Sequence, residues 1–265
     1  MLPAQEKKPV VLVMGGHDPA GGAGVQADIE TIASANCFAV TVITSLTAQN
    51  TREVSAVRPQ TPAHFRKQID TLLADIPINA CKIGLAGNSA LIRIMEKTLG
   101  GIGDIPVVLD PVLASGTGQA LLDRKYRDDL YQRLVPHATV ITPNLSEARE
   151  LTGKSDPDAA GAELLKRGCK AVLITGSRDR AGRIVNILYR NGKKAGRCAW
   201  ERLPGTYHGS GCTLSAAVAA HLALGKDIET AVAAAQEFTW YTLKYGFSLG
   251  SGHYHPNRFF RKQHA

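Results

Sequence analysis

The sequence predicts an α/β fold in three layers, a mostly parallel central sheet with helices on both faces. Three observations carry this. Strand-length apolar runs alternate with helix-period segments along most of the chain. Polar and glycine-rich clusters follow the predicted strands, and folds of this class bind ligands beyond the C-terminal ends of their strands. Finally, 44% of the 265 residues are hydrophobic, which supports a large core, while no apolar run is long enough to span a membrane.

Residues 10–14 read as a buried strand, and 24–35 as a helix with Val25, Ile29 and Ile32 at helical spacing. The β-branched run 39–46 reads as a strand, and 62–74 as a helix entered through Pro62. Strands at 81–84, 106–110, 138–142 and 170–175 alternate with helices at 89–99, 123–134, 146–152 and 158–167. Asn191-Gly192 between strand-like segments signals a hairpin. A helix stopped by Gly225 follows the glycine-rich stretch 205–213, and Asp227 caps a final helix to residue 245. No repeat or linker interrupts the pattern, so one domain over 1–265 is expected, with 1–9 and 256–265 as flexible tails.

The formal net charge is +8. Part of it lies near the ends, at Lys7, Lys8, Arg258, Arg261 and Lys262; seven basic residues between Arg178 and Arg197 face one acid, Asp179. The hairpin signal there places these charges on a solvated ribbon. Without interleaved aromatics or a nucleic-acid motif, small phosphorylated ligands are better partners than nucleic acid. Five cysteines (Cys37, Cys81, Cys169, Cys198, Cys212) show no CxxC spacing, and the polar N-terminus lacks a signal-peptide core. Both point to reduced thiols and a cytoplasmic protein.

The stretch with most chemical content is Gly205-Thr206-Tyr207-His208-Gly209-Ser210-Gly211-Cys212-Thr213, which runs straight into a helix. Small residues permit close approach, and a fresh helix start offers unpaired N–H groups to an anion. It contains no Lys, so it is not a Walker A loop. Cys212 is its one nucleophile-like side chain; it could equally pack as a small hydrophobe. Asp110, ending a buried strand, calls for a cation. Glu147 fits the first turn of a helix, where an acid suits the dipole. Gln49 carries both a donor and an acceptor.

Gly16-His-Asp-Pro-Ala-Gly-Gly-Ala-Gly-Val-Gln-Ala-Asp28, Leu46-Thr-Ala-Gln-Asn-Thr51, Leu109-Asp-Pro-Val112, Thr142-Pro-Asn-Leu-Ser-Glu-Ala148 and His208-Gly-Ser-Gly-Cys-Thr-Leu-Ser215 stand in order along the chain. Together they resemble the hydroxymethylpyrimidine/phosphomethylpyrimidine kinases of the ribokinase-like superfamily. The resemblance implies a ribokinase-like fold and ATP-dependent phosphorylation of 4-amino-5-hydroxymethyl-2-methylpyrimidine, then of its monophosphate, in thiamine diphosphate biosynthesis. It implies Mg²⁺ as cofactor, with a monovalent cation as an option, and a homodimer.

By the same resemblance, Gly209, Ser210 and Gly211 form an anion hole, and Cys212 is the base, its thiol lowered by the helix N-terminus. Gly16, Asp28, Gln49 and Leu85 hold the pyrimidine, with surface or capping duty as the plainer reading of Asp28. Asn144, Thr175 and Thr206 serve ATP, and Asp110 and Glu147 serve the metal. His208 reads as a loop residue. Two departures stand out. Thr175-Gly176-Ser177-Arg178 replaces the usual Lys-Gly-Gly-His, leaving Arg178 as a substitute cation, and the run around Gly116 lacks a second Lys. These losses bear on the second phosphorylation. The alternatives are a pyridoxal/pyridoxine kinase and a pyrimidine-binding domain that has lost catalysis.

Overall fold

The computed structural model describes residues 7–113 and 124–263. The run around Gly116 and the expected helix start at residue 123 lie outside them. The strands are β1 (Val10–His17), β2 (Phe38–Gln49), β3 (Val54–Pro59), β4 (Ala80–Ile83), β5 (Val107–Leu109), β6 (Val140–Ile141), β7 (Ala171–Arg178), β8 (Ile184–Arg190) and β9 (Lys193–Trp200). The helices are α1 (Gly24–Ser34), α2 (Pro62–Leu73), α3 (Ser89–Leu99), α4 (Arg124–Asp129), α5 (Leu145–Thr152), α6 (Pro157–Arg167), α7 (Ser210–Ala223), α8 (Ile228–Lys244) and the short α9 (Phe260–Gln263).

All nine strands share one sheet in the order β3-β2-β1-β4-β5-β6-β7-β8-β9. The run from β2 to β7 is parallel; β3 at one edge and β8 and β9 at the other are antiparallel. Strand alternation divides the core in two. Leu12, Met14, Leu109, Ile141 and Ile174 meet the layer of α2 to α6. Val11, Val13, Val108, Val140 and Leu173 meet the layer of α1, α7 and α8. Burying both faces explains why these strands read as continuous apolar runs. Among the described residues no helix is long and apolar enough to cross a membrane.

Asn191 and Gly192 both take positive φ (52° and 73°), the backbone of the expected two-residue hairpin. Three expectations change. The sequence does not predict strand β3: it is a mostly exposed edge whose Val54, Ala56 and Val57 follow no buried-strand pattern. The 123–134 helix is broken, since α4 ends at Asp129 and passes into a wider turn in which Val135 N–H reaches back to Leu130 O. Pro136, with no N–H to give, follows in a 3₁₀ turn. Residues 256–260 are not a loose tail. Pro256, Asn257, Arg258 and Phe260 are buried, because this segment packs between α1 and α7.

Candidate active site

The C-terminal ends of the parallel strands open into one cavity of about 480 Å³. Around it stand Gly16, Asp28, Gln49, Leu85, Asp110, Asn144, Glu147, Thr175, Gly209, Ser210, Gly211 and Cys212; of the residues singled out from the sequence, Thr206 and Arg178 are not among them. Thr206 is exposed and accepts the Tyr254 N–H through its carbonyl (2.9 Å), which fixes the loop instead of facing the cavity.

Side-chain caps divide the helix starts. Thr61, Asn88, Asn144, Asp156 and Asp227 each cap their own helix through a side chain. Helices α1 and α7 start at Ala23 and Gly209 without a side-chain cap, and both starts line the cavity. In α7 the Thr213 N–H returns to Gly209 O (2.9 Å), so the N–H groups of Ser210, Gly211 and Cys212 precede the first intrahelical bond. Gly209 sits at φ 81°, and a Cβ there would collide with Gly22 O. Only glycine lets these two loops pass so closely.

Behind this loop lies a buried charge network that the sequence reading missed. Lys82, on the short strand β4 between Cys81 and Ile83, is 1% exposed, and its Nζ lies 2.9 and 3.0 Å from the two Asp28 carboxylate oxygens. Burial would depress the Lys82 ammonium, but Asp28, Cys212 and Asp110 outweigh it and hold the ammonium above its ordinary value. Asp28 is therefore neither a surface acid nor a cap. A Lys inside an apolar four-residue strand was the readable signal, because it demands a carboxylate. Lys82 is also the single Lys or Arg among the described residues lining the cavity; Arg178, the proposed substitute, is exposed and not among them.

Asp110 accepts the Ser215 hydroxyl of α7 (3.2 Å), and burial pushes its carboxyl up despite Lys82 and that bond. A Cβ on Gly211 would stand 3.8 Å from Asp110, so the first turn of α7 lies directly against this carboxylate. Cys212 corrects the sequence expectation. The thiol is half-buried, and burial pushes it up to about 12, with Asp110 and Asp28 adding to the rise and Lys82 opposing it. Desolvation outweighs both Lys82 and the Gly24 N–H, which lower the thiol.

Glu147 and Asn144 form a reciprocal capping box, Glu147 N–H to Asn144 Oδ1 (3.0 Å) and Asn144 N–H to Glu147 Oε2 (2.9 Å). Burial and then Asp110 push Glu147 up to about 8. Among the described residues no three His, Cys, Asp or Glu could hold a metal by themselves. Two mutually repelling carboxylates nevertheless suit an ion such as Mg²⁺, which takes one or two carboxylates and completes its shell with phosphate and water.

Thr175 stands where the related pattern has Lys, and its N–H donates to Pro143 O (2.9 Å). The next N–H, of Gly176, goes to Asn186 Oδ1 (3.1 Å), and Asn186 in turn donates to Gln236 (3.0 Å). On the opposite wall Leu85 packs under Gly16, where a Cβ would come within 3.1 Å of it, and Thr44 Oγ1 donates to Leu85 O (2.6 Å). His208 is no ordinary loop residue. It is buried, with Nε2 2.9 Å from Asp18 Oδ2. Asp18 also accepts the Ala20 and Ala23 N–H groups (both 2.8 Å). Burial would raise Asp18, but His208 and these N–H groups hold it below the usual carboxylate range.

The phosphomethylpyrimidine kinase family model matches residues 18–257. The hydroxymethylpyrimidine/phosphomethylpyrimidine kinase of Synechococcus elongatus is 36% identical over 259 residues, 94% of this chain and 98% of that protein. The thiamine biosynthesis bifunctional protein ThiED of Geobacter sulfurreducens is 36% identical over 92% of this chain, which spans about half (51%) of that longer protein. The solved ADP complex of Bacillus subtilis pyridoxal kinase superposes with a TM-score of 0.87 at 31% identity, covering 95% of this chain and 98% of that one. With its motifs gathered at one cavity and the family model matched over most of its length, the chain belongs to the phosphomethylpyrimidine kinase family.

Proposed function

We propose that the cavity transfers the γ-phosphoryl group of ATP to the hydroxymethyl group of 4-amino-5-hydroxymethyl-2-methylpyrimidine, and then to the phosphate of the resulting monophosphate, in thiamine diphosphate biosynthesis. The observation that carries this reading is the start of α7, Gly209 to Cys212, without a side-chain cap, set against Asp110 and lining one cavity with Gly16, Gln49 and Leu85. Phosphoryl transfer asks a protein mainly for positioning and for donors aimed at the charge that moves, and this arrangement supplies both.

Gln49 offers an amide edge to the aminopyrimidine, Leu85 covers a ring face, and Gly16 leaves room for close approach. Ser210, Gly211 and Cys212 direct N–H groups at the transferred phosphoryl. Cys212 accepts the alcohol proton through the small thiolate fraction that its raised thiol leaves at working pH. Asn144 and Thr175 line the nucleotide side. Asp110 and Glu147 would hold Mg²⁺, which when bound offsets phosphate charge. With Lys82 the single Lys or Arg lining the cavity among the described residues, and already paired to Asp28, the monophosphate is the slower substrate. The five cysteines, all free, fit a reducing compartment.

An ADP-coupled assay with the pyrimidine alcohol, its monophosphate and pyridoxal tests the reading. Turnover is expected with both pyrimidines, at higher kcat/KM than with pyridoxal. A preference for pyridoxal would establish the second reading, a pyridoxal kinase, which the likeness to the Bacillus subtilis enzyme favours. Binding without ADP release would leave a pyrimidine-binding domain.

A further inference from the structure

The segment after residue 253 returns to the cavity's rear wall. His208 N–H donates to Tyr254 O and Tyr254 N–H to Thr206 O (both 2.9 Å), pairing this segment with the anion loop. Arg258 then enters the interior, 3% exposed, and its guanidinium reaches three separate pieces of chain. Nη1 donates to Glu30 on α1 (3.0 Å), Nη2 to Gly22 O in the 18–23 loop, and Nε to Thr213 Oγ1 on α7 (3.0 Å). Its own carbonyl accepts the Ser34 hydroxyl at the end of α1 (2.6 Å).

The third contact is the informative one. Thr213 Oγ1, having accepted from Arg258, donates to Gly209 O (2.9 Å), and the Thr213 N–H donates to the same oxygen. A trans peptide holds its C=O and the following N–H antiparallel. Fixing Gly209 O behind the helix start therefore fixes the Ser210 N–H in the opposite direction, out of the N-terminus. The second contact holds Gly22, whose carbonyl lies where a Cβ on Gly209 would be. One planar fork thus sets both backbones at their closest crossing, which a Lys ammonium with a single flexible nitrogen cannot do.

We propose that Arg258 is a positioning residue for phosphoryl transfer, acting through Thr213 and Gly22 to aim the N–H groups of the α7 start at the transferred phosphoryl. The proposal rests on the reaction class assigned above. Arg258→Gln should lower kcat by roughly tenfold to a hundredfold, as ångström-scale misplacement does, while KM for the alcohol stays within about twofold. Arg258→Lys should not restore it, and added guanidinium should partly rescue Arg258→Ala.

Calorimetry gives a readout independent of turnover. Arg258→Gln should weaken a non-hydrolysable ATP analogue but leave ADP, which lacks the γ-phosphate, unchanged. If Arg258→Gln does not fold, Thr213→Val cuts the same relay and should show the same selective loss, with Thr213→Ser near wild type. Equal weakening of ADP and the analogue, or unchanged kcat in a folded variant, would overturn the proposal. Kinetics use whichever alcohol the wild type phosphorylates, so a failed pyrimidine assignment is seen in the wild type alone. If the wild type phosphorylates none, the calorimetric ratio still decides the role of Arg258.

Discussion

At the scale of single residues, Cys212 and Lys82 make the sharpest predictions. A thiol pushed up to about 12 supplies little thiolate at neutral pH, and the thiolate fraction grows as pH rises. If Cys212 accepts the alcohol proton, log kcat/KM of the free enzyme still climbs with roughly unit slope above about pH 8.5, where Glu147, pushed up to about 8, is already ionised. Levelling below that pH would remove the thiol from that role. Cys212→Ala should depress turnover steeply while pyrimidine affinity, measured by calorimetry, holds. Lys82 is a matter of stability. Lys82→Met strands the fully buried Asp28 carboxylate, and removing one partner of a buried pair costs about 3–5 kcal/mol in urea unfolding. The double variant Lys82→Met with Asp28→Leu should recover most of that loss, because no unpaired charge remains; failure to recover would mean that packing, not charge, dominates the site.

At the scale of elements, local backbone geometry separates glycines that a sequence presents alike. Gly209 and Gly153 both take positive φ, 81° and 72°. A methyl group on Gly153, the left-handed stop of α5, meets nothing within 4 Å, so Gly153→Ala should cost about 1 kcal/mol of backbone strain alone. On Gly209 the same methyl group runs into the Gly22 carbonyl, and the anion loop has to move. Gly209→Ala should therefore abolish measurable turnover and lower the thermal midpoint well beyond the Gly153 variant. Similar shifts for the two would show that the crossing yields easily. The caps differ likewise: Asn, Asp or Thr closes five helix starts, that of α5 beside the cavity among them, while Ala23 and Gly209 leave two starts there without a side-chain cap.

For the whole molecule, the net charge of +8 and the neutralised Lys82 together mean that nucleotide is attracted from a distance more than gripped by cations inside the cavity. Screening shortens that reach to about 8 Å at physiological ionic strength. Thus kcat/KM for ATP should fall several-fold from low to moderate salt with kcat unchanged, and salt independence would assign the attraction to the short-range N–H donors. The layered architecture was legible because the central strands bury both faces and read as apolar runs. The rim was legible because small and polar residues interrupt the pattern there, as at Gly16, Gln49, Asp110 and 209–212. Illegible features depended on partners far away in sequence. Lys82 finds Asp28, Asp18 finds His208, and Arg258 finds Thr213 and Gly22 only once the sheet brings them together. Strand β3 escaped notice for the opposite reason, since an exposed edge needs no apolar pattern. The clasp of residues 254–258 also imposes an order in time. Every strand of the described residues lies before residue 201, so a chain emerging N-terminus first can pair its strands while α7, α8 and the segment that pairs with the anion loop are still to come. Strand pairing can thus precede competence, and the last layer to close over the sheet is also the one that sets the cavity rim.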